Sequence, residues 1–183
     1  MIVENIENIG DSEKYLYSNF LIKGLIRRFY RSVESIVSKV DVQDVLEVGC
    51  GAGFSTEYLA RILRDKDFQA SELMPNLVKA AQERNPNIHI EEESIYQLKR
   101  KDSSFDLVVA FEVFEHLEQP GLALKEIHRV TKRYCLLSVP NEPLWRILNM
   151  CRFAYLKDFG NTPGHIQHRT ALSIRSFVIQ YIE

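Results

Sequence analysis

Three glycines stand at alternate positions directly after a short apolar run, as Gly49, Gly51 and Gly53 behind residues 45–48. Because glycine lacks a Cβ and tolerates positive φ, such a strand end can bring bare backbone against a ligand. The dinucleotide-binding fingerprint needs another glycine at position 54, where this chain has Phe54. The spacing therefore predicts a nucleotide-type binding site and disfavours the binding of a pyrophosphate group.

An acidic residue follows this turn at a distance that suits sugar recognition. Glu72 ends a second strand-like run, about twenty residues past the glycines, where a carboxylate can bind ribose hydroxyls. Most isolated carboxylates are simply solvated, but this position beside the glycine turn favours a binding role.

A third polar group comes after another apolar run. His116 is the candidate general base, although a histidine here could instead hydrogen-bond a helix end. With Glu112, Glu115 and His165 it would also offer two carboxylates and two imidazoles to a divalent metal that activates a hydroxyl. The main prediction is a site without metal.

The elements that position these residues alternate between strands and helices from residue 44 onward, which indicates β-α-β units and a parallel sheet. Right-handed crossovers place the strand C-termini, and thus the polar residues, at one edge. Residues 12–39 have helical spacing. The predicted strands are 44–49, 67–72, 87–91, 105–111 and 134–139, and the predicted helices are 54–65, 75–85, 120–131 and 170–182.

Residues 40–53 resemble the first motif of the class I S-adenosylmethionine-dependent methyltransferases, and four further segments match that family in order. The resemblance implies a Rossmann-like doubly wound α/β fold with strand order 3-2-1-4-5, S-adenosyl-L-methionine as cofactor and S-adenosyl-L-homocysteine as product. Residues 105–117 are most similar to the group that methylates quinones and other small metabolites. The other matching segments are 69–75, 93–98 and 136–141.

The resemblance also implies roles for individual residues. The glycine turn would lie against the methionine and ribose parts of the cofactor, and Glu72 would bind the ribose. Leu73 and Met74 would cover one face of the adenine and Ile95 the other, unless these side chains serve ordinary core packing. The end of the fourth strand would line the methyl-transfer pocket. The implied cofactor-binding residues are Glu47, Gly49, Cys50, Gly51, Gly53, Glu72, Leu73, Ser94, Ile95, Phe111 and Glu112.

Composition excludes several classes of protein. A formal charge of −2 and a pI near 6.2 provide no basic field, so a nucleic-acid partner is not expected. Three scattered cysteines indicate reduced thiols, and no apolar run is long enough to span a membrane. We expect a cytoplasmic protein with one domain over 1–183, made of a helical cap (1–40), a cofactor-binding core (41–141) and a substrate-side tail (142–183).

The tail departs from the family pattern. After Asn141 no segment alternates like the usual terminal antiparallel hairpin, so the sequence predicts a five-stranded sheet without it. The fifth strand would then be an edge that invites pairing, and a homodimer through this edge is a hypothesis.

The preferred function is methyl transfer to a small-molecule acceptor at oxygen, with His116 as base. A second hypothesis is a metal-assisted RNA ribose 2′-O-methyltransferase, because Glu112, Glu115, His116 and His165 are similar to the metal site of enzymes that modify the terminal ribose of small RNAs. A third is a non-catalytic domain that binds the cofactor or acts as a scaffold. An NAD-dependent oxidoreductase ranks last because of Phe54.

Overall fold

The computed structural model describes residues 20–140, residue 166 and residues 176–179, with side chains described from Gly24 in the first helix. The chain divides into two compact units, 1–41 and 42–183. The first unit contains helix α1, Phe20–Val37, which buries Val33 and Val37 four residues apart while its arginines stay exposed. This spacing gives the helix one apolar face.

The second unit is built on a parallel sheet with the order β3-β2-β1-β4-β5, so the predicted order is confirmed. Three helices and one short 3₁₀ turn connect the strands. The elements are β1 Asp44–Val48, α2 Phe54–Ile62, β2 Asp67–Glu72, α3 Pro75–Arg84, β3 His89–Glu92, β4 Phe105–Phe111, the 3₁₀ turn Phe114–His116, α4 Pro120–Val130 and β5 Thr131–Ser138.

The central strands β1 and β4 are almost wholly buried, as expected for parallel strands with neighbours on both sides. Side chains of α4, such as Leu124 and Ile127, pack with Leu46 and Val108 in one apolar cluster. Val78 and Ala81 of α3 pack with Ala70 in another. These two clusters fix the strands so that the ends of β1, β2 and β4 lie at one edge.

The bounds of several elements differ from the predicted ones by a few residues. Helix α2 ends at Ile62 instead of at residue 65, and β5 begins at Thr131 directly after α4 instead of at residue 134. Thr131 explains the second difference, because its Oγ1 donates to the carbonyl of Ile127 at 2.6 Å while its backbone pairs with Phe105. One residue therefore ends the helix and starts the strand.

Of the predicted C-terminal helix 170–182, residues 176–179 are described and are helical. The absence of a terminal hairpin concerns residues outside the described part and stays a prediction, as does the single domain. None of the described helices is both long enough and apolar enough to cross a membrane.

Candidate functional site

The three glycines of the turn between β1 and α2 all have positive φ, at +74°, +56° and +81°. Two of them are required by packing: a Cβ on Gly49 would lie 2.6 Å from Cγ2 of Val113, and one on Gly53 would lie 2.5 Å from Nδ2 of Asn85. A Cβ on Gly51 would meet no described atom within 4 Å. Gly51 is therefore the point at which the backbone faces open space and can approach a ligand.

Glu72, the last residue of β2, is fixed beside this open backbone. Its Oε2 accepts a hydrogen bond from the Gly51 N–H at 2.9 Å, and its Oε1 accepts from the N–H groups of Leu73 at 2.9 Å and Met74 at 3.0 Å. The two residues meet because β1 and β2 are parallel neighbours, with Val48 paired to Ser71. The carboxylate is held in place, and three of its roughly four lone-pair sites are used, which leaves one open on Oε2 for a ligand's hydroxyl group.

Glu47 lies beneath the turn rather than at its surface, with an exposed fraction of 1%. Thr56, in the first turn of α2, donates to its Oε2 at 2.7 Å. Burial raises the pKa of Glu47 to about 7, opposed by hydrogen bonds from Ser55 and Thr56 and increased slightly by the charge of Glu72. Its position indicates that Glu47 ties β1 to α2 and shapes the turn without facing a ligand.

This raised pKa predicts a pH-dependent stability. Between about pH 4.5 and 7 folded Glu47 keeps a proton that the unfolded chain has released, so stability falls as pH rises through this window. We expect Glu47→Gln to exceed the wild type in free energy of unfolding by on the order of 2 kcal/mol at pH 8, with little difference near pH 4.5. Denaturant unfolding of both proteins at the two pH values measures this, with the exposed Glu83→Gln as control. An unchanged difference across pH would contradict it.

The residues predicted to cover an adenine fall into two groups. Leu73 and Met74 are half-exposed beside Glu72, at 55% and 51%, and are free to cover a flat ring. Ile95 is buried in the cluster that also holds Leu98, so its side chain serves the core. The hydroxyl of Ser94 accepts from the Tyr96 N–H at 3.3 Å and orders this segment.

Cys50 contributes its backbone to the glycine turn, whereas its thiol is buried in the core. Its side chain is 4% exposed and packs with Ala70 and Val78. Burial, followed by the charges of Glu47 and Glu72, raises the pKa of the Cys50 thiol to about 12. The thiol is therefore neutral and not nucleophilic at physiological pH.

The end of β4 carries a second group of predicted residues. Glu112 adopts the left-handed φ of +53°, unusual for a residue other than glycine, and its Oε1 accepts from the Ser138 hydroxyl at 2.7 Å. The backbone N–H of Glu112 also donates to the Ser138 carbonyl at 3.2 Å. Phe111 directly precedes it on the strand. These contacts join the ends of β4 and β5 and fix an unusual backbone conformation at the edge where Glu72 also lies.

Glu115 and His116 follow in the 3₁₀ turn and differ in environment. Glu115 is 2% exposed, and neither of its carboxylate oxygens has a hydrogen-bond partner among the described residues. Burial and the charge of Glu112 raise its pKa to about 8. His116 is exposed to solvent and follows the strand that ends at this edge of the sheet.

The proposed metal ligands do not form a cluster in the described structure. Over residues 20–140, 166 and 176–179, no three histidine, cysteine, aspartate or glutamate side chains come together as a metal site. Glu112 is instead engaged by Ser138, and His165 lies outside the described residues. The described geometry gives the metal hypothesis no support.

Sequence reasoning missed several residues that shape the site. Val113 packs against Gly49, Thr56 holds Glu47, and Ser138 holds Glu112. Arg84 and Asn85, at the end of α3, contact the carbonyls of the glycine turn. No local pattern identifies these partners, since each contact joins different elements.

The parallel sheet, the open glycine backbone and the carboxylate at the next strand end are the features of a Rossmann-like nucleotide-binding fold. The family model for the methyltransferase domain matches residues 46–138, so the chain belongs to the class I S-adenosylmethionine-dependent methyltransferases. The cofactor of this class is S-adenosylmethionine, as predicted from the sequence.

Individual relatives agree with this assignment. A Mycobacterium tuberculosis protein named "probable S-adenosylmethionine-dependent methyltransferase" is 27% identical over 153 residues, 84% of this chain and 53% of the relative. The mitochondrial ubiquinone biosynthesis O-methyltransferase of Saccharomyces cerevisiae is 28% identical over 63% of this chain and 38% of its own. The YcgJ protein from Bacillus subtilis has the same fold, with a TM-score of 0.62 at 17% identity, over 81% of this chain and 66% of its own. The chain spans about half the length of the first of these relatives.

Proposed function

We propose that the chain transfers a methyl group from S-adenosylmethionine to a small-molecule acceptor, at oxygen. The observation that carries the proposal is the open backbone at Gly51 beside the fixed carboxylate of Glu72. A dinucleotide would bring a pyrophosphate to this turn, where the carboxylate of Glu72 already accepts the Gly51 N–H.

The residues present fit S-adenosylmethionine. Glu72 offers its open acceptor site to one ribose hydroxyl, and the second would compete with the Gly51 N–H, while Leu73 and Met74 expose apolar surface for the adenine. The backbone around Gly51 leaves room for the methionine part. When bound, the cofactor supplies an activated methyl group on its sulfonium, so the protein mainly has to orient the acceptor and exclude water.

The acceptor is proposed from the relatives and from the residues after β4. Three relatives are named for O-methylation in ubiquinone biosynthesis, which supports a hydroxylated small molecule. An oxygen nucleophile has to lose its proton, and the exposed His116 follows the strand that ends near the cofactor-binding residues. In this proposal His116 takes that proton.

We expect His116→Ala to lower kcat by about 10²–10³-fold while the Kd for S-adenosylhomocysteine stays unchanged, because the imidazole acts on the acceptor and not on the cofactor. Formation of S-adenosylhomocysteine with a panel of hydroxylated aromatic and aliphatic acceptors measures kcat, and calorimetry measures Kd. His128→Ala is the matched control, since His128 is also exposed but lies on α4.

The results separate the hypotheses. Absence of S-adenosylhomocysteine binding would overturn the proposed function. Binding without turnover on any acceptor would favour the non-catalytic domain, and turnover restricted to amine acceptors would contradict transfer to oxygen. Cytoplasmic location and a homodimer through β5, the last strand of the described sheet, stay predictions of the sequence.

A further inference from the structure

The carbonyl groups of the glycine turn are held by two side chains from the end of α3. Arg84 donates from Nε to the carbonyl of Ala52 at 3.1 Å. Asn85 donates from Nδ2 to the carbonyl of Gly53 at 2.9 Å and to that of Ala81 at 3.0 Å. With an exposed fraction of 6%, Asn85 is buried at the contact between the turn and the helix.

Phe54 gives Arg84 a second contact. The guanidinium carbon of Arg84 lies 3.6 Å from the centroid of the Phe54 ring, a stacked cation–π arrangement. Its ion pair with Glu57 is long, at 3.9 Å, and partly exposed, and such surface pairs contribute little. The stack and the carbonyl contact therefore position Arg84. Phe54, which departs from the dinucleotide fingerprint, provides the ring on which the Arg84 guanidinium stacks.

The turn is thus held from two directions. Glu72 holds the N–H of Gly51, while Arg84 and Asn85 hold the carbonyls of the next two residues. Ribose hydroxyls would compete with the Gly51 N–H for Glu72, whereas neither Arg84 nor Asn85 is a predicted ligand contact. The side-chain contacts of Arg84 and Asn85 with the turn would therefore remain when a ligand engages Glu72.

We infer that Arg84 and Asn85 are positioning residues, which preorganise the Gly51–Gly53 backbone for S-adenosylmethionine from the far end of the helix that begins beside Glu72. This inference rests on the proposed function for the identity of the ligand. The contacts between the side chains and the turn carbonyls do not depend on it. Preorganised backbone lowers the ordering cost of binding, so loss of the contacts should weaken the ligand's affinity more than the fold.

The first test is Arg84→Gln, which removes the stack and the cationic donor at a partly exposed position. We expect the Kd for S-adenosylhomocysteine to rise about tenfold. We also expect faster amide hydrogen exchange across residues 51–53 in the cofactor-free protein, with a nearly unchanged denaturation midpoint. Asn85→Asp replaces a donor by an acceptor opposite two carbonyls. This variant should also raise the Kd and speed amide exchange across residues 51–53.

Two control variants isolate the turn contacts. Arg61→Gln removes an arginine that stacks on Tyr58, at 4.7 Å, in the same helix as Phe54. Glu57→Gln removes the ion pair of Arg84 and leaves its carbonyl contact. Both should keep the wild-type Kd and the wild-type exchange rates.

The experiment distinguishes failure of the proposed function from failure of the inference about Arg84 and Asn85. If the wild type does not bind S-adenosylhomocysteine, the proposed function fails, and amide exchange in the cofactor-free Arg84→Gln protein still decides whether the side chain orders the turn. If the wild type binds and Arg84→Gln matches it in both Kd and exchange, the inference is overturned. An equal loss of affinity in Arg61→Gln would overturn it as well.

Discussion

Gly51→Asn is expected to weaken the binding of S-adenosylhomocysteine about 100-fold or more, while the free energy of unfolding stays within about 1 kcal/mol of the wild type. Asparagine tolerates the left-handed φ of +56°, and a Cβ at this position meets no described atom within 4 Å. The fold therefore accepts the side chain, which fills the space in front of the backbone. Calorimetry with the product and denaturant unfolding measure the two quantities.

Gly49→Ala is the contrasting control for this experiment. Its Cβ would lie 2.6 Å from Cγ2 of Val113 in a backbone with φ of +74°, so either the Val113 side chain or the turn has to shift. We expect a loss of stability of roughly 1–3 kcal/mol, typical of overpacking. Wild-type affinity in Gly51→Asn would show that the ligand does not approach the turn at this residue.

Glu72→Gln is expected to raise the Kd for S-adenosylhomocysteine about 100-fold. Glu72 accepts three backbone N–H bonds through its two oxygens, from Gly51, Leu73 and Met74. Glutamine has one oxygen, so its NH₂ group has to face at least one backbone donor, and the charge that would bind the ribose hydroxyls is lost. We also expect a loss of about 1–2 kcal/mol in the free energy of unfolding.

Glu92→Gln is the matched control, because Glu92 ends the neighbouring strand β3 and is exposed. Calorimetry and denaturant unfolding of both variants separate the ligand contact from general effects of charge. If Glu72→Gln loses stability and keeps its affinity, Glu72 has only a structural role at the turn.

The sheet could be predicted well because its signals are local or nearly so. Short apolar runs separated by helical patterns are typical of a parallel sheet, and the strand order followed from the resemblance. One error occurred where a single residue serves two elements: Thr131 donates to the carbonyl of Ile127 at the end of α4 and also starts β5. Propensity gives no sharp boundary at such a residue.

Predictions for the adenine segment were less exact because burial decided the role of each side chain. The sequence offered Leu73 and Ile95 as equivalent apolar walls, but Leu73 is 55% exposed while Ile95 is 7% exposed and packs in the core. Apolar character is the same in both, and only packing against α4 and β4 distinguishes them. The sequence alone therefore could not assign the second wall.

The sequence by itself determined the glycine turn and the carboxylate one strand away, because parallel strands carry these residues to a common edge, and its resemblance to the family gave the sheet order. Only the tertiary structure decided that the glycines have different roles, since Gly49 and Gly53 are required by Val113 and Asn85 while Gly51 alone faces open space. It also decided that Glu47 lies beneath the turn and that Arg84 and Asn85 hold its carbonyls. The physical reason is that these contacts join elements whose approach is set by packing, and packing leaves no local signature in the chain.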